Sequence, residues 1–236
     1  MKELAVIVPR YANTAPVHEI TNQCIDKILE YQDTRFRTTL TVIDDGSLIG
    51  FTLKEGVRIL HHGYNRGIAV GWNTGWRANP NADFYCWINA DCEVTPGWAF
   101  PLVATAEQIG AIAMPYTNGE KSDGLGITGW CFLTSQEIAN QIGPFDETFV
   151  PARYEDTDWF HRAIYTHRIP LVSVPSSNVI HTRMKGGTKD VRRMDLLHTA
   201  NRLRYSWKHN LDPNDDIPPF WKKPLPEVDI EDIHAN

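Results

Sequence analysis

Several kinds of segment are missing from this sequence. No apolar run approaches the twenty or so residues that a membrane-spanning helix needs. The chain opens Met1-Lys2-Glu3 and passes straight into a strand-like run, without a basic-then-apolar leader. A cytoplasmic location is therefore expected, with no integral membrane segment and any membrane contact peripheral. The four cysteines, Cys24, Cys86, Cys92 and Cys131, form no C-x-x-C pair, which argues against a zinc ribbon or a thioredoxin-type site. Cys86, Cys92 and Cys131 lie in or beside apolar stretches, where a thiol behaves as a small hydrophobe. Global positive charge is lacking too: 23 basic against 29 acidic residues give a net charge of -6 and no reason to expect a polyanionic partner. There is no G-x-x-x-x-G-K-[ST] loop, no G-x-S-x-G elbow and no internal repeat. The one G-x-G-x-x-G match, Gly124 to Gly129, sits in mid-chain and leads into the strand-like Trp130 to Leu133. A dinucleotide fingerprint follows the first strand and opens a helix, so this match is rejected.

What is present is an alternation of strands and helices. Leu4 to Val8 is a continuous apolar run stopped by Pro9, the pattern of a strand buried on both faces. From about Val17 to Tyr31, Ile20, Cys24, Ile28 and Tyr31 share one helical face. Strands are expected at Leu40 to Ile43, Val57 to Leu60, Phe84 to Ile88 and Ala111 to Met114, with helices at Ile68 to Ala78 and Trp98 to Gln108. This order predicts an α/β domain with a mostly parallel central sheet and helices on both faces. The second half is less regular. It reads as a polar loop (Thr117 to Gly126), a strand (Trp130 to Leu133), a short helix (Ser135 to Gln141) and a longer helix (Asp156 to His167). Two short strands follow (Leu171 to Val174 and Val179 to His181), then a helix (Met194 to His209). From Pro213 onward the chain is Pro-rich and acidic, and an extended tail is expected.

In open α/β sheets, ligands sit beyond the carboxyl ends of the strands. The polar clusters of this chain fall at those ends. Asn89-Ala90-Asp91 follows a strand, and its acid can hold Mg²⁺ or Mn²⁺ together with substrate phosphates, or simply cap the turn. Asp44-Asp45-Gly46-Ser47 can bond a ribose or base, or build an Asx turn. Asn65-Arg66-Gly67 opens a helix whose N-terminus suits an anion; Asn73, unfavourable in mid-helix, implies a specific hydrogen bond. Glu155, Asp156 and Asp158 start another helix. Asp156, four residues before Phe160, shares the apolar face and can act as a general base. Asp158 is at ion-pair spacing with Arg162, acids in a first turn also suit the helix dipole, and the Asp156-x-Asp158 pair competes with Asp91 as the metal site. His181 ends a strand and is either a metal ligand or a structural residue. Arg183 to Lys208 is locally basic, suited to a diphosphate, an anionic lipid or nucleic acid, or to a solvated helix face.

Taken in order, these motifs resemble family two of the glycosyltransferases, whose fold is GT-A. Val6-Ile7-Val8-Pro9 looks like that family's first strand, and Val42 to Ser47 is close to its V-D-D-G-S. Asn65 to Gly75 is similar to its N-x-G-x-x-x-A-x-N-x-G segment. Ile88-Asn89-Ala90-Asp91 resembles the L-N-x-D version of D-x-D in rhamnosyltransferase-like members, and Gly143 to Glu147 followed by Glu155 to Asp158 matches G-x-F-D-E…E-D-x-D. His181 falls where those members carry a late His, and Tyr205 to His209 resembles a frequent Y-x-x-K-[HW]. Asn89 departs from the pattern by replacing the first acid of D-x-D, so a metal would rely on Asp91 and His181.

The resemblance implies one GT-A catalytic domain over 1–210, with a nucleotide-sugar half (1–115), an acceptor half (116–210) and a tail (211–236). It implies an inverting transferase that takes a sugar from a UDP or dTDP carrier to an acceptor hydroxyl, with Mn²⁺ or Mg²⁺ as cofactor. Pro9, Arg10, Tyr11, Asp44, Asp45, Asn65, Arg66, Gly67, Asn73, Asn89 and Ala90 would bind the nucleotide. Asp91 and His181 would hold the metal. Asp156 would be the general base with Glu155 beside it, and Trp130 and Asp158 would meet the acceptor. A saccharide or lipid-linked saccharide acceptor is expected. The basic stretch keeps a nucleic-acid acceptor open as the alternative, and a non-catalytic nucleotide- or sugar-binding domain is the other.

Overall fold

The structure is a computed structural model, describing residues 1–116, 127–182, 191–215, 218–222 and 224–228. The expected loop Thr117 to Gly126 and the basic residues Arg183, Lys185 and Lys189 lie outside the described residues. The first half runs β1 (Lys2–Arg10), α1 (Ala15–Glu30), β2 (Phe36–Asp45), β3 (Val57–His62), α2 (Ile68–Ala78), β4 (Phe84–Ile88), β5 (Cys92–Val94), α3 (Ala99–Ile109) and β6 (Ile112–Tyr116). The second half runs β7 (Cys131–Ser135), α4 (Gln136–Ile142), α5 (Glu155–His161), β8 (Leu171–His181) and α6 (Val191–Lys208).

The sheet order is β3-β2-β1-β4-β7-β6-β8-β5. Strands β3, β2, β1 and β4 are mutually parallel; β7 then enters antiparallel between β4 and β6, and β8 returns parallel to β6. From β1 the chain proceeds outward on one side through β2 and β3, and resumes on the other side with β4. That reversal makes the end of β1 a topological switch point, the place where such sheets open a crevice.

The apolar run of β1 is continuous because both faces of the sheet are covered. Leu4, Val6 and Val8 pack with Cys24, Ile25 and Ile28 of α1 and Leu102 and Val103 of α3. Ala5 and Ile7 face the other way, with Trp72 of α2, Ile138 of α4 and Trp159 and Phe160 of α5. That second layer is dense in aromatics. Trp87 and Trp159 lie 5.5 Å apart and Phe145 and Trp159 5.2 Å apart, centroid to centroid. Each such pair adds about 0.5–1.5 kcal/mol beyond area burial. The platform fixes α5, and with it the acids of its first turn.

Three expectations need correcting. Two short strands were expected over 171–181, and one strand, β8, is found. Its first half pairs with β6, and its last residues pair with β5 (Cys92↔His181) after a register shift at Pro115/Tyr116. The helix expected over Asp156 to His167 is α-helical only to His161 and widens to a π-turn over Arg162–Thr166. The Pro-rich tail is not simply solvent-extended: Phe220, Trp221 and Leu225 join one core layer and Val228 the other. Glu227 bridges to Ser173 of β8.

Candidate active site

The rim at the carboxyl ends of β1, β2 and β4 carries the residues that the sequence singles out. Register places Arg10 beside Asp44, and Asp45 beside His62. Asp45 is buried and grips the turn before α2. Its oxygens accept from the backbone N–H of Arg66 (3.0 Å) and Gly67 (2.8 Å), and His62 Nδ1 lies 2.6 Å away. Asp44 lies 3.0 Å from Arg10 Nη1 and accepts from Ser47 N–H at 3.2 Å. The acid pair therefore builds both an Asx-type turn and the next loop. Around it, Tyr11 and Arg66 are exposed, Pro9 is half-buried and Ala90 is buried.

Gly67 links this loop to the other half of the site. Its φ is +96°, and a Cβ there would stand 2.7 Å from the Pro151 carbonyl oxygen. That same oxygen accepts from Ile68 N–H at 2.9 Å. The chain then turns through Arg153 and Tyr154, both with positive φ (81° and 74°), into α5. Asp156, half-buried, accepts from Thr157 N–H at 2.7 Å through Oδ1. Its Oδ2 presses on Gly129, where an added Cβ would lie 1.7 Å away. Next in sequence, Trp130 stacks on His181 with centroids 4.9 Å apart and planes 11° apart. His181 Nε2 in turn lies 3.3 Å from Asp91 Oδ2. Contacts and short stretches of chain together thus link Asp45 through Gly67, Pro151, Asp156, Gly129, Trp130 and His181 to Asp91.

Electrostatics separate these acids. Burial lifts the Asp156 carboxyl above the usual carboxylate range, against the pull of Thr157 and Arg153. Burial, and then the charge of Asp156, lift Glu155 well above its ordinary value. Glu155 Oε2, Asn65 Oδ1 and Asn89 Oδ1 are buried with no hydrogen-bond partner among the described residues. Leaving such an atom unpaired costs about 1–3 kcal/mol, and a polar ligand on this rim would relieve it.

Three residues expected to touch ligand are engaged elsewhere. The Arg10 side chain is fully buried, with Nη2 donating to the Ile49 carbonyl at 2.6 Å; it holds Asp44 from behind. Asn73 is buried, and its amide exchanges bonds with the Phe145 backbone, 2.9 Å in each direction. This is the hydrogen bond that its mid-helix position implied, made to protein. Asp158 has no exposed surface and meets Arg162 (3.0 Å), Lys208 (2.7 Å) and His209 (2.8 Å). Burial pushes its carboxyl up, but His209, Lys208 and Arg162 outweigh burial and hold it below the ordinary range.

One residue at the site carries no signal of its own in the sequence: Gly129 lies in a glycine pattern that does not fit a dinucleotide fingerprint. Cys92 is the small core hydrophobe that the sequence implies, 2% exposed within the first core layer. The ligand atoms of Asp91, Cys92 and His181 lie within 4.8 Å of one another.

Solved structures place the fold in a class. The structure described as GalNAc-T7 with UDP, GalNAc and Mn²⁺ is similar with a TM-score of 0.67 at 14% identity, over 88% of this chain and 48% of that one. The mannosyltransferase PcManGT from Pyrobaculum calidifontis, in complex with GDP-Man and Mn²⁺, gives 0.62 at 15%, over 93% and 68%. A third, S. aureus TarS 1-349, gives 0.54 at 15%, over 69% and 55%. The shared architecture is the GT-A fold of glycosyltransferases, and the chain spans about half the length of the first of these neighbours. No curated protein sequence matches it. The profile of Glycosyl transferase family 2 matches residues 5–152, and the chain belongs to that family.

Proposed function

We propose that this domain transfers a sugar from a nucleoside diphosphate carrier to an acceptor hydroxyl, with inversion at the anomeric carbon and Asp156 as general base. The observation that supports it is the joining of two chemistries on one rim. A half-buried carboxylate with a raised proton affinity abuts the Gly129-Trp130 turn, and the same turn braces His181 against Asp91. Asp156 takes the acceptor proton as that oxygen bonds to the anomeric carbon. The bond from carbon to the diphosphate oxygen breaks, and its electron pair leaves with the diphosphate. Glu155, buried beside Asp156 with a raised carboxyl, orients the acceptor. Tyr11 covers the base, and Arg66 with the Gly67 turn faces the phosphates.

The donor atoms of Asp91 and His181 suit a divalent cation. When bound, Mn²⁺ or Mg²⁺ supplies charge stabilisation for the departing diphosphate. UDP or dTDP is the proposed carrier, and a saccharide or lipid-linked saccharide the proposed acceptor. The described part of the basic stretch works within the fold: Arg202 donates to Pro213, Arg204 to Thr148, and Lys208 meets Asp146 and Asp158. That leaves a nucleic-acid acceptor with little to favour it. No described helix is long and apolar enough to cross a membrane.

A thermal-shift panel of nucleoside diphosphates with and without Mn²⁺ tests the reading. Stabilisation by a pyrimidine diphosphate that depends on the cation is expected, and indifference to every nucleotide would overturn it.

A further inference from the structure

The cation site contains a side chain that glycosyl transfer, as drawn above, does not use. We propose that Cys92 is its third protein ligand, giving this chain a mixed oxygen, sulfur and nitrogen donor set that prefers Zn²⁺ over Mg²⁺ and Mn²⁺. The inference rests on Asp91 and His181 as cation ligands and deepens that reading.

Register carries the argument. Strands β5 and β8 are antiparallel, with Cys92 directly opposite His181. Directly opposed residues project from the same face, with Cβ atoms about 4.5–5.5 Å apart. Asp91 precedes them in a turn pinned by Thr182, whose N–H and hydroxyl both donate to the Asp91 carbonyl at 2.9 and 2.7 Å. Carboxylate, thiol and imidazole thereby come within 4.8 Å of one another. Trp130 braces two of the three: its ring stacks on His181, and its carbonyl accepts the Cys92 S–H at 3.6 Å.

The chemistry of the set is distinctive. Mg²⁺ and Mn²⁺ favour oxygen donors, whereas thiolate and imidazole favour Zn²⁺. Three protein ligands with a fourth position left for substrate is also the pattern of a catalytic zinc site. On coordination the S–H bond breaks, sulfur keeps the electron pair and donates it to the cation, and the proton leaves to solvent.

Titrating the purified chain with Co²⁺, then displacing it with Zn²⁺, tests this directly. Wild type should show a near-ultraviolet sulfur-to-cobalt charge-transfer band. Cys92→Ala, and Cys92→Val as a variant that keeps the core filled, should lose it. Their Zn²⁺ affinity should fall by at least the roughly 10–100-fold seen when even outer-shell partners are removed, while Mn²⁺ affinity moves far less. If the Cys92 variants do not fold, wild type and Cys24→Ala decide together: a band absent from wild type, or lost in Cys24→Ala, whose thiol neighbours Cys92 and Asp91, would overturn the role of Cys92, and a band kept in Cys24→Ala supports it. Saturable Co²⁺ binding without a sulfur band would overturn the role of Cys92 and leave the Asp91–His181 site standing. A band that survives in folded Cys92 variants would overturn it as well. Absence of any binding that Asp91→Ala abolishes would overturn both readings.

Discussion

At the end of β2, Asp44 and Asp45 are bound to Arg10, Ser47, His62 and the backbone of residues 66 and 67. At the start of α5, Asp156 keeps an oxygen aimed at the Gly129 turn, and Glu155 has an oxygen with no described partner. Both pairs are adjacent acids on one rim. The difference lies in who satisfies them. The first pair is held by donors from its own fold and shapes the loops that would receive a nucleotide. The second is desolvated without full compensation, which raises its proton affinity and readies it for chemistry.

The comparison can be broken most sharply at Asp156. Asp156→Asn should lower transfer by about 10²–10⁴-fold while donor binding, followed by titration, stays unchanged. Full activity in that variant would move the base elsewhere. A buried acid that is fully engaged should behave in the opposite way. Asp158→Ala removes the fully buried partner shared by Arg162, Lys208 and His209 and should cost about 3–5 kcal/mol in urea unfolding. Asp45→Ala unties the Arg66–Gly67 turn and should cost about 1–3 kcal/mol, with weaker nucleotide binding in the same assay.

Smaller effects concern pH. If Asp156 must be ionised to act, the acid limb of kcat/KM lies above the ordinary aspartate value of about 3.9. Burial and the charge of Asp156 raise the Glu155 carboxyl in the fold, whereas in the unfolded chain it ionises above about pH 4.3. Between that pH and its raised folded value, the folded state binds more protons, so this residue draws stability down as pH rises. Glu155→Gln should therefore raise Tm modestly, and more at pH 8 than at pH 5. An equal shift at both would place the carboxylate in water.

Much of the fold was legible because burial on both faces leaves unbroken apolar runs. The expected bounds of α2 and β4 coincide with those observed. Legibility failed where tertiary pairing overrode local signals. Pro175-Ser176-Ser177-Asn178 reads as a break, yet β8 runs through it, because the strand changes partners from β6 to β5 there. Strand β5, three residues long, shows no periodicity. At the site, the acids were visible as types at strand and helix ends. Their partners were not, since Asn73 meets Phe145 and Asp158 meets His209 across long stretches of chain. Of the three side chains whose donor atoms cluster, Asp91 and His181 stand out by position, while Cys92 reads as the buried core residue that it is.

The tail's pairing with Ser173 bears on how the chain behaves in company. Ser173 N–H donates to the Pro226 carbonyl, and Val228 N–H to the Ser173 carbonyl, each at 2.9 Å. Those bonds occupy the flank of β8 opposite β6, at a level that β5 does not reach. A chain cut before residue 224 would bare that flank, and an open ladder recruits strands from other molecules. Self-association on truncation, rather than loss of fold, is the hazard that this short segment forestalls.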